Sequence, residues 1–173
     1  HDGMKRMVER QENVFYYLTL LNENYPMPGL QPGTEEQIIK GMYLCKPGAD
    51  GAKRVQLLGS GTILRESLEA QTLLAADWGV QADVWSCPSF NELTREGQDA
   101  DRWNLLHPLE TPRVPFVTRQ LGSRSGPVVA STDYMKAYAE QIRPFVPKGR
   151  SYRVLGTDGF GRSDFRSKLR EHF

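Results

Sequence analysis

Gly59, Ser60, Gly61 and Thr62 join an apolar run at residues 55–58 to an amphipathic helical pattern. The free backbone N–H groups of a first helical turn point into such a junction, where they can bind an anion. We therefore predict that these four residues form an anion-binding site. The alternative is a tight strand-to-helix turn that needs two glycines and binds nothing.

A dinucleotide site at this turn is disfavoured by two details. The full glycine fingerprint needs a third glycine, but Leu64 stands at that position. The acidic residue that would bind a ribose at the end of the next strand is absent, because Ser86, Cys87 and Pro88 occupy that place.

Asn22, Glu23 and Asn24 follow a second apolar run at residues 14–21. Polar residues at the carboxyl end of a strand lie where open α/β sheets bind their ligands. These three residues are candidates for the lining of a substrate channel. The alternative is a capped turn whose side chains satisfy local backbone groups before a Pro- and Gly-rich linker.

A glycine-rich loop follows the strand predicted at residues 152–155. Its three glycines allow backbone conformations with positive φ and a close approach to another surface. Asp158, Gly159, Gly161 and Arg162 are predicted to form an interface loop, with Asp158 and Arg162 bracing it. A helix is expected to begin near Asp164.

The sequence predicts no catalytic residue and no metal ligand. It contains no Ser/His/Asp set, no HExxH motif and no paired metal ligands. Cys45 and Cys87 lack CxxC spacing and are expected to be buried free thiols. The three histidines lie far apart in the sequence.

Composition narrows the class of partner. The net charge of +1 argues against nucleic acid or a membrane surface as the main binding partner. No apolar run is long enough to span a bilayer. The chain has no initiator Met and no signal-peptide pattern. We expect it to be a piece of a longer polypeptide.

Strand patterns alternate with helix patterns along the chain, which predicts an α/β fold with a mostly parallel sheet flanked by helices. The predicted strands are residues 14–21, 42–45, 54–58, 83–86, 127–131 and 153–155. The predicted helices are residues 2–11, 35–42, 62–78, 91–105, 134–146 and a last one from about 164.

Several long motifs resemble one family, the homodimeric bacterial pyruvate dehydrogenase that uses thiamine. The motifs are Glu12-Asn-Val-Phe-Tyr-Tyr-Leu18, Leu21-Asn-Glu-Asn-Tyr25, Val55-Gln-Leu-Leu-Gly-Ser-Gly61, Trp103-Asn-Leu-Leu-His-Pro-Leu-Glu-Thr-Pro-Arg-Val-Pro115, Ser131-Thr-Asp-Tyr-Met135 and Tyr152-Arg-Val-Leu-Gly-Thr-Asp-Gly-Phe-Gly-Arg-Ser-Asp-Phe165. The resemblance covers essentially the whole chain.

The resemblance implies a division into three parts. Residues 1–27 would be the last helix and strand of a pyrimidine-binding middle domain, and residues 28–41 a linker. Residues 42–173 would be a transketolase-like C-terminal domain that lacks its last strand.

The resemblance also implies a cytoplasmic parent enzyme that decarboxylates pyruvate with thiamine diphosphate and Mg²⁺. The parent would be a homodimer and would acetylate lipoyl groups on the dihydrolipoyl acetyltransferase component of a complex. The family's metal-diphosphate motif and activating glutamate are missing here, so the cofactor is expected outside this segment, whose own role would be structural or dimerising.

Two alternatives stay open. The segment is a non-catalytic interaction module, or the parent is another transketolase-fold enzyme that acts on sugar phosphates. In such enzymes the resemblance implies an arginine that binds the phosphate at about the position of Asn22. The presence of Asn22 instead favours pyruvate over a phosphorylated substrate.

Overall fold

A computed structural model describes residues 1–21, 23–26 and 28–172. Its helices are α1 (Asp2–Met4), α2 (Glu35–Ile39), α3 (Ile63–Trp78), α4 (Phe90–Leu106), α5 (Phe116–Gly122), α6 (Ala137–Glu140) and α7 (Arg166–His172). Its strands are β1 (Tyr43–Lys46), β2 (Arg54–Gly59), β3 (Gln81–Ser86), β4 (Val128–Ser131) and β5 (Tyr152–Leu155). A π-helical turn at Lys5–Glu9 continues α1, and a 3₁₀ turn at Arg143–Phe145 follows α6.

The strands form one sheet in the order β1-β3-β2-β4-β5. The pairs β3–β2, β2–β4 and β4–β5 are parallel, and β1 pairs with β3 in the antiparallel direction. This topology confirms the predicted α/β fold with a mostly parallel sheet.

Alternating side chains of the central strands face two different hydrophobic layers. Val55 and Leu57 of β2 pack with α3, whose Leu64 and Leu68 lie against them. Leu58 points to the opposite face, into the larger core formed with α4, α5 and the segment around α6. Helices therefore cover the middle of the sheet on both faces, as period-two burial in a parallel sheet requires.

The apolar run at residues 14–21 is not a strand in this structure, contrary to the prediction. It has no regular secondary structure, and Phe15 and Leu20 are 87% and 88% exposed. A strand needs a neighbour that completes its ladder of hydrogen bonds, and no described strand lies beside this run. The predicted helix before it is present as α1 and the π-helical turn.

The prediction of a single helix at residues 134–146 is also wrong. The structure has only the short α6 followed by the 3₁₀ turn, and Pro144 lies inside that turn. Proline has no N–H to donate and its ring clashes with the preceding turn of an α-helix. Helix α5 was not predicted, because the prolines before it indicate an extended segment; Pro115 stands at its N-cap position.

Candidate functional site

Three parallel strands end side by side at one edge of the sheet. Gly59 of β2 pairs with Ser131 of β4, and Ser131 pairs with Leu155 of β5. The connections that follow these strands therefore start at the same level. This edge collects the glycine turn, the 131–136 segment and the glycine-rich loop, as the topological rule for open α/β sheets anticipates.

The turn at residues 59–62 is tightly built. A Cβ on Gly59 would lie 2.7 Å from Cα of Leu64, so the strand and α3 approach closely there. Gly61 has a φ of +58°, a conformation that favours glycine. The N–H groups of Ile63 and Leu64 donate to the carbonyls of Ser60 and Gly61 at 3.1 and 3.3 Å. These i→i−3 bonds use donors that the anion hypothesis would leave free.

A carboxylate lies beside this turn. The hydroxyl of Thr62 donates to Oδ2 of Asp133 at 3.3 Å, and Oδ1 of Asp133 lies 3.5 Å from the position that a Cβ on Gly61 would take. An anion bound by Gly59, Ser60, Gly61 and Thr62 would therefore meet the negative charge of Asp133. The anion site stays a prediction.

Glu23 is held at the same edge by two side chains. Its Oε1 accepts a hydrogen bond from Nη2 of Arg166 in α7 at 3.1 Å, and its Oε2 accepts one from the hydroxyl of Tyr25. The hydrogen bond from Tyr25 is the largest cause that lowers the pKa of Glu23, and the hydrogen bond from Arg166 is the next. Asn24 is exposed, and Asn22 lies outside the described residues.

Tyr25 is in contact with two guanidinium groups. Cζ of Arg65, in the first turn of α3, lies 4.4 Å from the centre of the Tyr25 ring, and Cζ of Arg166 lies 5.3 Å from it. We call Glu23, Tyr25, Arg65 and Arg166 the edge cluster. The sequence pointed to Glu23 alone, because the two arginines belong to distant helices.

The glycine-rich loop is braced differently from the prediction. Asp158 accepts a hydrogen bond from the backbone N–H of Lys136 at 2.9 Å, and it pairs with the Lys136 ammonium at 3.2 Å. These contacts lower the pKa of Asp158. Arg162, the partner predicted for Asp158, is exposed, as are Gly159 and Gly161. The brace therefore joins the loops after β4 and β5.

A cleft that the sequence did not predict lies between α4 and the segment before α5. Its volume is about 300 Å³, and Glu92, Glu96, Asp99 and Arg113 contribute to its lining. The guanidinium of Arg113 lies over the ring of Trp103 at 4.2 Å. Arg113 thus joins the segment before α5 to α4.

The described residues include neither a candidate metal site nor a helix suited to crossing a membrane. Among the described residues, no three His, Cys, Asp or Glu side chains are grouped so that they could hold a metal ion. No described helix combines the length and apolarity that crossing a membrane needs. Cys45 and Cys87 are buried free thiols, as expected.

Two protein families match the sequence. Residues 41–173 match the family described as the transketolase-like C-terminal domain, and residues 1–28 match the middle domain of the pyruvate dehydrogenase E1 component. Similar solved structures include a transketolase from Campylobacter jejuni, with a TM-score of 0.51 at 20% identity over 86% of this chain and 18% of that chain. That likeness shows the fold.

The chain is also similar to curated proteins called pyruvate dehydrogenase E1 component. Identity is 60% to the protein of Cupriavidus necator, over 99% of this chain and 19% of that protein. It is 58% to the proteins of Pseudomonas aeruginosa and Escherichia coli, over 99% and 100% of this chain and 20% and 19% of theirs. The chain thus spans about one fifth of the length of these relatives.

Proposed function

Because the chain belongs to the family of transketolase-like C-terminal domains, and its first residues match a pyruvate dehydrogenase E1 middle domain, we propose that it is the C-terminal part of such a component. The parent decarboxylates pyruvate and acetylates lipoyl groups on the acetyltransferase component. The observation that carries this proposal is identity of 58–60% across the whole chain to proteins of that name. We further propose that the parent is a cytoplasmic homodimer.

We propose the domain division that the sequence predicts. Residues 1–27 are the end of the middle domain, residues 28–41 are the linker, and residues 42–173 belong to the C-terminal domain. The match to the middle domain ends at residue 28, and the match to the C-terminal domain begins at residue 41, so the two matches end at the two ends of the proposed linker. The sheet, whose first strand begins at Tyr43, lies entirely within the third part.

We propose that thiamine diphosphate and Mg²⁺ are bound by the parent outside this segment. The proposal is supported by the sequence, which lacks the metal-diphosphate motif, and by the described residues, among which no three His, Cys, Asp or Glu side chains are grouped so that they could hold a metal ion. Bound elsewhere in the parent, the cofactor supplies the carbanion chemistry of decarboxylation. No step of that reaction is assigned to a side chain of this segment.

The local role we propose is structural. Phe160 and Phe165 lie in the same segment between β5 and α7 and are 91% and 83% exposed. Exposed large apolar side chains that lie together on a protein surface mark contacts with other protein surfaces. The glycine-rich loop, including Asp158, Gly159, Gly161 and Arg162, is proposed as one such contact. Glu23 and its neighbours Asn22 and Asn24 are proposed to line the substrate channel.

Pyruvate turnover by the full-length parent tests this function. The purified polypeptide should reduce an artificial electron acceptor in the presence of pyruvate, thiamine diphosphate and Mg²⁺, and should lose this activity without the cofactor. A sugar phosphate should not replace pyruvate. Turnover of a sugar phosphate in place of pyruvate would contradict the proposal and favour a different transketolase-fold enzyme.

A further inference from the structure

The edge cluster joins three distant parts of the chain. Glu23 and Tyr25 belong to the irregular segment before α2, Arg65 to the first turn of α3, and Arg166 to the start of α7. The ion pair between Glu23 and Arg166 links residues that are 143 positions apart. The Tyr25 hydroxyl donates to the carboxylate of Glu23. The aromatic ring that contacts the two arginines is therefore linked directly to the carboxylate that pairs with Arg166.

The segment that carries Glu23 has little other support among the described residues. Residues 15–21, 23–26 and 28–30 make no backbone–backbone hydrogen bond to another described residue, and none of them lies in a helix or strand. Tyr16 is tied to Asp2 and Arg6 by its hydroxyl, at the beginning of the segment. Side-chain contacts are therefore the described interactions that hold Glu23 and Tyr25 in place.

We propose that Arg65 and Arg166 are positioning residues that clamp Tyr25 and Glu23, and thereby hold the turn around Glu23 and Asn24 at the carboxyl edge of the sheet. The held turn lies on the same side as Thr62 and Asp133, whose charge also acts on Arg166. This is the edge at which open α/β sheets bind ligands. The clamp needs arginine because a planar guanidinium can lie over an aromatic ring and donate to a carboxylate at the same time.

The clamp also couples two features of the fold. Arg166 is the first residue of α7, directly after the glycine-rich loop. A displacement of that loop would move the guanidinium away from Tyr25 and Glu23. The position of the channel turn thus depends on the position of the loop.

The part of this inference that concerns substrate rests on the proposed function, so the experiment has two separate readouts in the full-length polypeptide. The first is the rate at which a glutamate-specific endoprotease cleaves the chain after Glu23, identified by mass spectrometry. Arg166→Ala and Tyr25→Leu should each speed this cleavage by about tenfold. Arg166→Ala removes a cation–π contact and a charged hydrogen bond, and Tyr25→Leu removes the ring together with the hydroxyl that donates to Glu23. Tyr25→Phe keeps the ring and should show a smaller increase. Arg102→Ala, at an exposed position of α4, is the matched control and should show none.

The second readout is the kinetics of pyruvate turnover. Arg166→Ala should raise KM for pyruvate by about tenfold with a smaller change in kcat, and Arg166→Lys should restore only part of the loss because lysine lacks the planar group. Unchanged cleavage in both Arg166→Ala and Tyr25→Leu would overturn the clamp. Faster cleavage with unchanged KM would overturn its role toward substrate. A wild-type polypeptide without pyruvate turnover would refute the proposed function, while the cleavage readout still decides the clamp.

Discussion

Arg54 and Asp83 form a buried ion pair between neighbouring strands. Nη2 of Arg54 lies 2.9 and 3.0 Å from the two carboxylate oxygens of Asp83, whose side chain is fully buried. Gln56, Arg124 and the backbone N–H of Gly48 also donate to this carboxylate, at 2.8, 2.8 and 2.9 Å. One acidic group therefore ties β2 and β3 to the loop before β2 and to the segment before β4.

Asp83→Asn should destabilise the chain strongly. The change removes the negative charge and leaves Arg54 and Arg124 without their carboxylate. We expect a loss of about 3 kcal/mol in the free energy of unfolding, the lower end of the range for breaking a buried pair, because the two arginine side chains keep 16% and 30% exposure. Urea unfolding at micromolar concentration measures it. Asp101→Asn, at an exposed position of α4, should change stability by less than about 0.5 kcal/mol.

Asp83 should also make stability depend on pH. Burial alone would raise its pKa, but hydrogen bonds from Gly48, Gln56 and Arg54 hold the pKa below its ordinary value of 3.8. Because the folded-state pKa is the lower one, the unfolded state binds more protons in acid. The contribution of Asp83 is present above about pH 5 and is lost as pH falls through the folded-state pKa.

The stability difference between the unchanged chain and Asp83→Asn should therefore shrink as pH falls from about 5 towards 3. Unfolding curves at several pH values measure this difference. A difference that stays constant over this range would show that the pKa of Asp83 is not lowered by folding.

Gly159 and Gly161 make a matched pair in the glycine-rich loop. Gly159 has a φ of +92°, Gly161 does not have a positive φ, and a Cβ on either would meet open space. Gly159→Ala should therefore lower stability by about 1–2 kcal/mol through backbone strain alone, and Gly161→Ala should have almost no effect. Thermal unfolding of both variants tests this difference, and equal effects would contradict the conformation described for Gly159.

The exposed apolar segment at residues 14–21 should make the chain self-associate. The side chains of Phe15 and Leu20 are almost entirely in water, and burying them against another surface is favourable. Light scattering at rising concentration should show association, and the double variant Phe15→Ser, Leu20→Ser should reduce it. Thr19→Ser, between the two, should leave it unchanged. A monomer at high concentration would show that the exposed side chains of this segment do not drive association.

Local patterns predicted most of the sheet and the two long helices well. The predicted helix at residues 62–78 ends before Gly79, which adopts the left-handed conformation common after a helix end. The helix predicted from residue 91 begins after Ser89, whose hydroxyl accepts a capping hydrogen bond from the N–H of Glu92. Both features depend on neighbours in the sequence, so local patterns can predict them.

The edge cluster and the Asp83 network could not be predicted in the same way. Three connections meet at one edge of the sheet, and only this brings together Arg65, Arg166 and Tyr25. The sequence around each of these residues does not indicate its distant partners. The prediction of a strand at residues 14–21 is wrong for the same kind of reason. An apolar run indicates burial, but only a neighbouring strand turns it into part of a sheet.

Calorimetric titration with thiamine diphosphate and Mg²⁺ tests most directly the claim that this chain is a structural part of a larger enzyme. The full-length parent should bind the cofactor saturably. The chain of 173 residues should show no saturable binding, because we propose that the groups that hold the cofactor lie elsewhere in the parent. Saturable binding to the chain alone at micromolar cofactor would contradict the account.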